Sequence, residues 1–244
     1  MNATPETTIR EIVANDYRTA AVFQRFGLDF CCNGCRTVEQ GCRDAGADEN
    51  ALLRELDAVL NTAAGAAPRF ADWNPPALVT YIIANHHGYV RNALPALLQH
   101  TRKIAGVHGE RHTELAHIAR LVERIADEMT DHMAKEEHIL FPFIVALAEA
   151  AGAGCPAPRP PFGTVENPIR MMEQEHRFVG DAMAEIRSLT DGYRVPEDAC
   201  TTYRVCLQEL EAFETDLHAH VHLENNILFP KAVEIEATGS RRAP

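Results

Sequence analysis

Apolar residues recur every three or four positions over four long stretches of the chain, roughly 75–105, 112–149, 168–189 and 196–237. Spacing of that kind predicts amphipathic helices that turn one face to a common core. In the second stretch the stripe runs Leu115, Ile118, Val122, Ile125, Met129, Leu140, Phe143 and Leu147. In the third it runs Ile169, Met172, Val179, Met183 and Ile186, and in the fourth Leu207, Leu210, Phe213, Leu217 and Leu228. Asn74 before Pro75 and Asn167 before Pro168 mark helix starts, each a capping residue followed by proline at the first helical position. Residues 61–76 are rich in Ala, Gly and Pro without apolar periodicity and read as a linker. Residues 151–164 are rich in Pro and Gly, so no helix runs through them. No alternating strand pattern appears, and the expected fold is all-α: a small helical unit over 1–65 and a bundle over 75–238.

Polar residues interrupt these stripes where apolar ones belong. His132 and Glu136 fall between Met129 and Leu140, His220 and Glu224 between Leu217 and Leu228, and His176 between Met172 and Val179. They belong to an internal repeat. His132-Met-Ala-Lys-Glu136-Glu-His-Ile139-Leu140-Phe141-Pro142 matches His220-Val-His-Leu-Glu224-Asn-Asn-Ile227-Leu228-Phe229-Pro230 at an offset of 88. Upstream, His87-Gly-Tyr89-Val90 resembles His176-Arg-Phe178-Val179; His87 precedes His132 by 45 residues, and His176 precedes His220 by 44. The pattern is a helical hairpin present twice, and two such hairpins make a four-helix bundle.

Residues four apart on a helix share a face, so each His-x-x-x-Glu pair points inward together. A bare carboxylate in an apolar core is costly and calls for a metal, a cation or a proton. Four imidazoles and two carboxylates exceed what a structural zinc site uses, which closes with four ligands. Two metals bridged by the glutamates fit better, with about eight of roughly twelve octahedral positions filled by protein, and the mixed ligation suits iron, then manganese. Room would remain for dioxygen, nitric oxide or peroxide. The bland alternative is a set of buried histidines hydrogen-bonded to glutamates without metal, a reading that the twofold recurrence disfavours. His86 also lies near the first stripe, and only the repeat selects His87. Glu128, one turn before His132, is either an acceptor that orients that ring or a solvated acid. His218 and His222 are about 200° from His220 and face away from the centre. His100, His108, His112, His117 and His138 are expected on solvated faces or loops.

Composition narrows the function. Asp and Glu outnumber Lys and Arg by 35 to 23, a net charge of −12, which argues against nonspecific nucleic-acid binding. No apolar run reaches membrane-span length and no signal-peptide pattern opens the chain, so a cytoplasmic protein is expected. Twelve histidines and seven cysteines are present. Cys31, Cys32, Cys35 and Cys42 cluster, which in a cytoplasmic chain points to redox or metal chemistry. A turn at Asn33-Gly34 would bring Cys32 and Cys35 together, and the four thiols could hold zinc, form a disulfide or pass iron onward. Alternatively Cys35 and Cys42 are small buried or incidental residues. Cys155, Cys200 and Cys206 read as packing residues or as having no role.

At the histidine and glutamate positions the chain resembles the hemerythrin-like di-iron proteins. Phe26-Gly-Leu-Asp29-Phe30-Cys31-Cys32-Asn33-Gly34 resembles the Cys-Cys signature of the small domain that precedes the bundle in the repair-of-iron-centres (RIC) family. The resemblance covers essentially the whole chain, and Cys35 and Cys42 depart from the family's core pattern. It implies a cytoplasmic, often dimeric protein with two iron ions in an oxo- or hydroxo-bridged centre on His87, His132, Glu136, His176, His220 and Glu224. It further implies paired cysteines at Cys31 and Cys32, and a role in restoring iron–sulfur cluster proteins damaged by nitric oxide or oxidants, by iron donation. Two other functions share such a bundle: reduction of nitric oxide at the di-iron site, and binding of oxygen or nitric oxide without turnover. The N-terminal cysteines weigh against the last, since a carrier needs only the bundle.

Overall fold

Asn74 caps the first bundle helix as its sequence predicts, its Oδ1 accepting from Ala77 N at 2.9 Å. The computed structural model describes residues 3–62 and 68–240, and among these there is no strand, only helices and one isolated antiparallel bridge between Thr8 and Thr37. Four short helices form the N-terminal unit: α1 (Ile9–Asn15), α2 (Ala20–Arg25), α3 (Val38–Ala45) and α4 (Glu49–Leu60). Capping boxes open α1 (Thr8 with Glu11) and α3 (Thr37 with Gln40), each accepting from two backbone donors that the helix start leaves open. The bundle is α5 (75–108), α6 (115–152), α7 (Glu166–Leu189) and α8 (201–240), running alternately up and down. Residues 63–67 of the expected linker lie outside the described residues, and its end is ordered: Phe70–Asp72 form a 3₁₀ turn. Lys231 of α8 pins that turn by donating to the carbonyls of Ala71 and Trp73, both at 2.6 Å.

Two expectations need correction. Helix α7 starts at Glu166, before the Asn167-Pro168 pair, because Glu236 of α8 accepts from Val165 N and replaces a local cap. Asn167 instead donates to Phe162 O. In α6, Ile144 is buried and Phe143 only half-buried. The cause is a π-helical turn at Glu136–Leu140, which inserts an extra residue into the helix and rotates everything after it. An equivalent turn occupies Glu224–Leu228 in α8, and a third, Ile82–His87, lies in α5. In the first two the amide of the following phenylalanine reaches back five residues, Phe141 to Glu136 O and Phe229 to Glu224 O. Pro142 and Pro230 come next and have no N–H to give, so the wide turn falls where the regular ladder would break in any case.

The bundle core is two apolar clusters with a polar layer between them. One holds Val90, Leu97, Ile125, Met129, Val179, Met183, Phe213 and Leu217 and runs on into the N-terminal unit. The other holds Leu78, Ile82, Phe141, Ile144, Ile169, Met172, Leu228 and Phe229.

The N-terminal unit docks on α8 through the dipeptide Asn225-Asn226. Asn225 Nδ2 donates to Cys31 O (3.1 Å) and Asn226 Nδ2 to Phe30 O (2.9 Å), while Asn226 Oδ1 accepts from Arg10 Nε (3.2 Å). Gly34 faces the same spot, and a Cβ there would lie 2.8 Å from Asn226 Oδ1 and from Phe30 O, so this glycine serves the close approach of two backbones. His222 does face away from the bundle centre, and the docked unit buries it against Tyr17 and Phe30. His108 is buried as well, packed on Tyr203 at 5.3 Å with both ring nitrogens unpartnered, not on a solvated face. Asn226→Ala leaves Phe30 O and the Arg10 guanidinium without their partner. It should lower stability by about 1–3 kcal/mol in chemical denaturation and speed proteolysis within the first 62 residues, with helical content unchanged.

Candidate metal centre

Six of the polar intruders converge in the layer between the apolar clusters, arriving from all four helices. His87 closes the π turn of α5, and Glu136 and Glu224 open those of α6 and α8. His132 and His220 stand one turn before the glutamates, and His176 lies midway along α7. All six are at most 2% exposed. Two overlapping groups result, His87–His220 and His132–His176, each with its ligand atoms and those of both glutamates within 4.8 Å of one another. Both groups include both carboxylates.

Distances give the arrangement its direction. The Nε2 atoms of His87 and His220 are 3.2 Å apart, and those of His132 and His176 3.0 Å. A metal with nitrogen bonds of about 2.1 Å holds two ligands at right angles about 3.0 Å apart. Glu224 turns Oε1 to His220 (3.0 Å) and Oε2 to His176 (3.0 Å), one oxygen toward each pair. Glu136 Oε2 is 3.3 Å from both His87 and His132. Glu136 Oε1 and Oε2 and Glu224 Oε2 are buried without a hydrogen bond, so protein groups alone leave the centre of the quartet unsatisfied, and divalent ions fit it.

The electrostatics carry the same demand. Burial pushes the His87 and His132 rings down, but Glu136 and Glu224 outweigh it and raise each to about 10. Burial would raise the two glutamates, and at Glu136 the charge of Glu224 adds to it, but the facing imidazoles pull both below the ordinary carboxylate value. Each carboxylate thus favours positive charge on the imidazoles that face it, and a metal ion would supply that charge in place of protons.

Around the six lies a ring of orienting acceptors that sequence reasoning missed. His87 Nδ1 donates to Glu137 Oε1 (2.6 Å), His132 Nδ1 to Glu175 Oε2 (2.9 Å), and His176 Nδ1 to Asn225 Oδ1 (3.0 Å). Such bonds fix the tautomer and aim Nε2 at the metal. Each acceptor is the chain neighbour of a ligand on a different helix: Glu137 follows Glu136, Glu175 precedes His176, and Asn225 follows Glu224. Adjacent helical residues diverge by about 100°, so when one points to the centre the next points at the adjoining helix. Adjacency to a predicted ligand was the available clue. Glu128 is not the acceptor for His132; Glu175 is. The cycle breaks at its fourth step. Among the described residues His220 Nδ1 has no partner, and His86, the neighbour of His87, stacks on the His220 ring (5.6 Å, 11°) while its own Nδ1 pairs with Asp216.

The cysteines separate. Cys31 is buried, Cys32 half-buried, and their Sγ atoms are 3.8 Å apart beside Asp29. Cys42 is buried in α3 and Cys35 is exposed, and neither belongs to this group, so the four thiols do not form one site. Asn33-Gly34 does not pair Cys32 with Cys35; the turn serves the docking on Asn226. Cys206 is buried, and Cys155 and Cys200 are exposed.

Known proteins resemble this chain over both its units. Residues 78–232 match the hemerythrin HHE cation binding domain, and residues 5–60 match a domain of unknown function, DUF542 (ScdA_N). The chain is 36% identical over 219 residues to the iron-sulfur cluster repair protein YtfE of Yersinia pestis (strain Pestoides F), covering 90% of this chain and 93% of that protein. It is 34% identical over 238 residues to the protein of the same name from Musicola paradisiaca (strain Ech703), covering 95% and 98%. Against that from Yersinia pseudotuberculosis serotype O:3 (strain YPIII) it is 35% identical over 219 residues. No helix among the described residues is long and apolar enough to cross a membrane.

The acceptor ring makes a prediction of its own. Glu175→Ala should weaken metal binding about 10–100-fold in competition with a chromophoric chelator, whereas Glu128→Ala should leave it unchanged.

Proposed function

The chain belongs to the repair-of-iron-centres family of hemerythrin-domain proteins, and on that premise we propose that it restores damaged iron–sulfur clusters in cytoplasmic client proteins, drawing on a bridged di-iron centre. The observation that carries this is the pair of overlapping ligand groups sharing Glu136 and Glu224. His87 and His220 would hold one iron, His132 and His176 the other, and both glutamates would bridge. When bound, the irons would supply exchangeable, redox-active metal with positions left for a small ligand such as nitric oxide or dioxygen.

The chain's own residues define the surroundings of that chemistry. Phe141 stacks on His87 (5.7 Å, 18°) and Phe229 on His176 (6.2 Å, 5°), covering one ligand of each pair against water. Glu137, Glu175 and Asn225 hold three imidazoles in register. We read residues 1–65 as a separate thiol domain acting with the bundle over 75–238. A ligand carrier has no use for such a domain, whereas a protein that delivers iron does.

Elemental analysis of protein purified anaerobically from iron-replete cells should find about two irons per chain and little zinc. Glu136→Ala and Glu224→Ala should each lose most of the iron while far-ultraviolet circular dichroism stays helical. Either variant keeping its full iron with an unchanged spectrum would refute the bridging assignment. Cys31→Ala/Cys32→Ala should retain iron yet fail to reactivate a nitric oxide-damaged cluster enzyme.

A further inference from the structure

A cavity of about 370 Å³ opens between the N-terminal unit and the bundle, walled by the Asp29–Asn33 loop on one side and by Arg177, Gly180 and Arg187 of α7 on the other. Cys31 and Cys32 both line it, as does His218 of α8. We propose that this thiol pair is a second metal site, taking one divalent transition-metal ion at the boundary of the two units.

Geometry carries the assignment. Two thiolates on a tetrahedral ion with sulfur bonds of about 2.3 Å stand about 3.8 Å apart, and the Sγ–Sγ distance here is 3.8 Å. Adjacent side chains do not take that spacing by default; Asp29 sets it. Its Oδ1 accepts from the backbone amides of Cys31 (3.0 Å) and Cys32 (2.9 Å) and lies 3.2 Å from Cys31 Sγ, while its Oδ2 accepts from Asn33 Nδ2 (2.6 Å). The loop is therefore locked, with both cysteines lining the cavity and Cys32 Sγ facing Gly180 of α7. Gly180 keeps the far wall open: a Cβ there would meet nothing closer than Cys32 Sγ, at 3.8 Å.

The chemistry is of the matching kind. The S–H bond with Cys32, followed by burial, holds the Cys31 thiol well above its ordinary value, so the buried sulfur is a poor nucleophile while no metal holds it. A coordinated thiol is deprotonated outright. One divalent ion would replace two protons, which leave to solvent, and the two thiolates would balance its charge. The remaining coordination positions would face the cavity, through which Cys32, the more exposed sulfur, is reached first.

The site is also tied to the bundle. Asn225 donates to the Cys31 carbonyl and accepts from His176 Nδ1, so one asparagine stands between the thiol loop and a candidate iron ligand. That the ion is iron in transit rests on the function proposed above; the site itself does not.

The test uses the full-length protein with its bundle iron already loaded and measured. Anaerobic titration with cobalt(II) should give one further equivalent bound, with thiolate-to-cobalt charge-transfer absorption in the near ultraviolet. Cys31→Ser and Cys32→Ser should each abolish that band without changing bundle iron, and Cys35→Ser should keep it. Gly180→Leu, which leaves both thiols in place but fills the cavity, should lose the band at cobalt concentrations that saturate the parent protein. Absence of the band in the parent, or its survival in both Cys31→Ser and Cys32→Ser, or an undiminished band in Gly180→Leu, would overturn the site. A parent protein that gives the cobalt band yet takes up no bundle iron when iron is supplied anaerobically would refute the proposed function and leave the thiol site standing.

Discussion

Two carboxylates at zero exposure, Glu136 and Glu224, face each other inside an apolar bundle, and the remaining structure is arranged around that cost. Charges removed from water must be met by opposite charge at close range with their lone pairs occupied. Four imidazoles meet them, one from each helix, and the apolar core divides into two clusters to make room. The helices concede regularity at the same level. All three π turns include or adjoin a ligand, consistent with the frequent placement of such turns at functional sites.

Much of this was legible in the sequence, for a definite reason. The His-x-x-x-Glu pairs lie on core stripes, and duplication of the hairpin turns two weak coincidences into one pattern with internal symmetry. What could not be read depended on contacts between elements. The phase change after Glu136 comes from a backbone widening that a regular period cannot express, so Phe143 was expected where Ile144 sits. Glu128 shares a helix face with His132, and face-sharing within one helix cannot reveal an acceptor supplied by another. His108 and His222 look polar in sequence and are buried by packing that only the tertiary fold creates.

The two hairpins are alike at the ligands and differ just beyond them. Where the first has Glu137-His138 after its glutamate, the second has Asn225-Asn226. Glu137 carries charge to the outside of the bundle, where Arg91 meets it. The asparagines carry none and can each donate and accept, as docking a loop of backbone carbonyls requires. The duplicated hairpin has thus specialised, one copy toward solvent and the other toward the thiol-bearing unit, through one pair of adjacent residues.

The neighbour rule in the acceptor ring also bears on how such a chain can change over generations. Because Glu136–Glu137, Glu175–His176 and Glu224–Asn225 each reach two different side chains of the polar layer at once, neither member of a dyad drifts alone without disturbing a residue held by another helix. Inserting or deleting one residue in any of those helices displaces a ligand and, in the same event, unseats a second ligand across the bundle. Length variation should therefore collect in the stretches between helices, while these dyads are inherited as units. At His220 the ring is steadied instead by the stacked imidazole of His86.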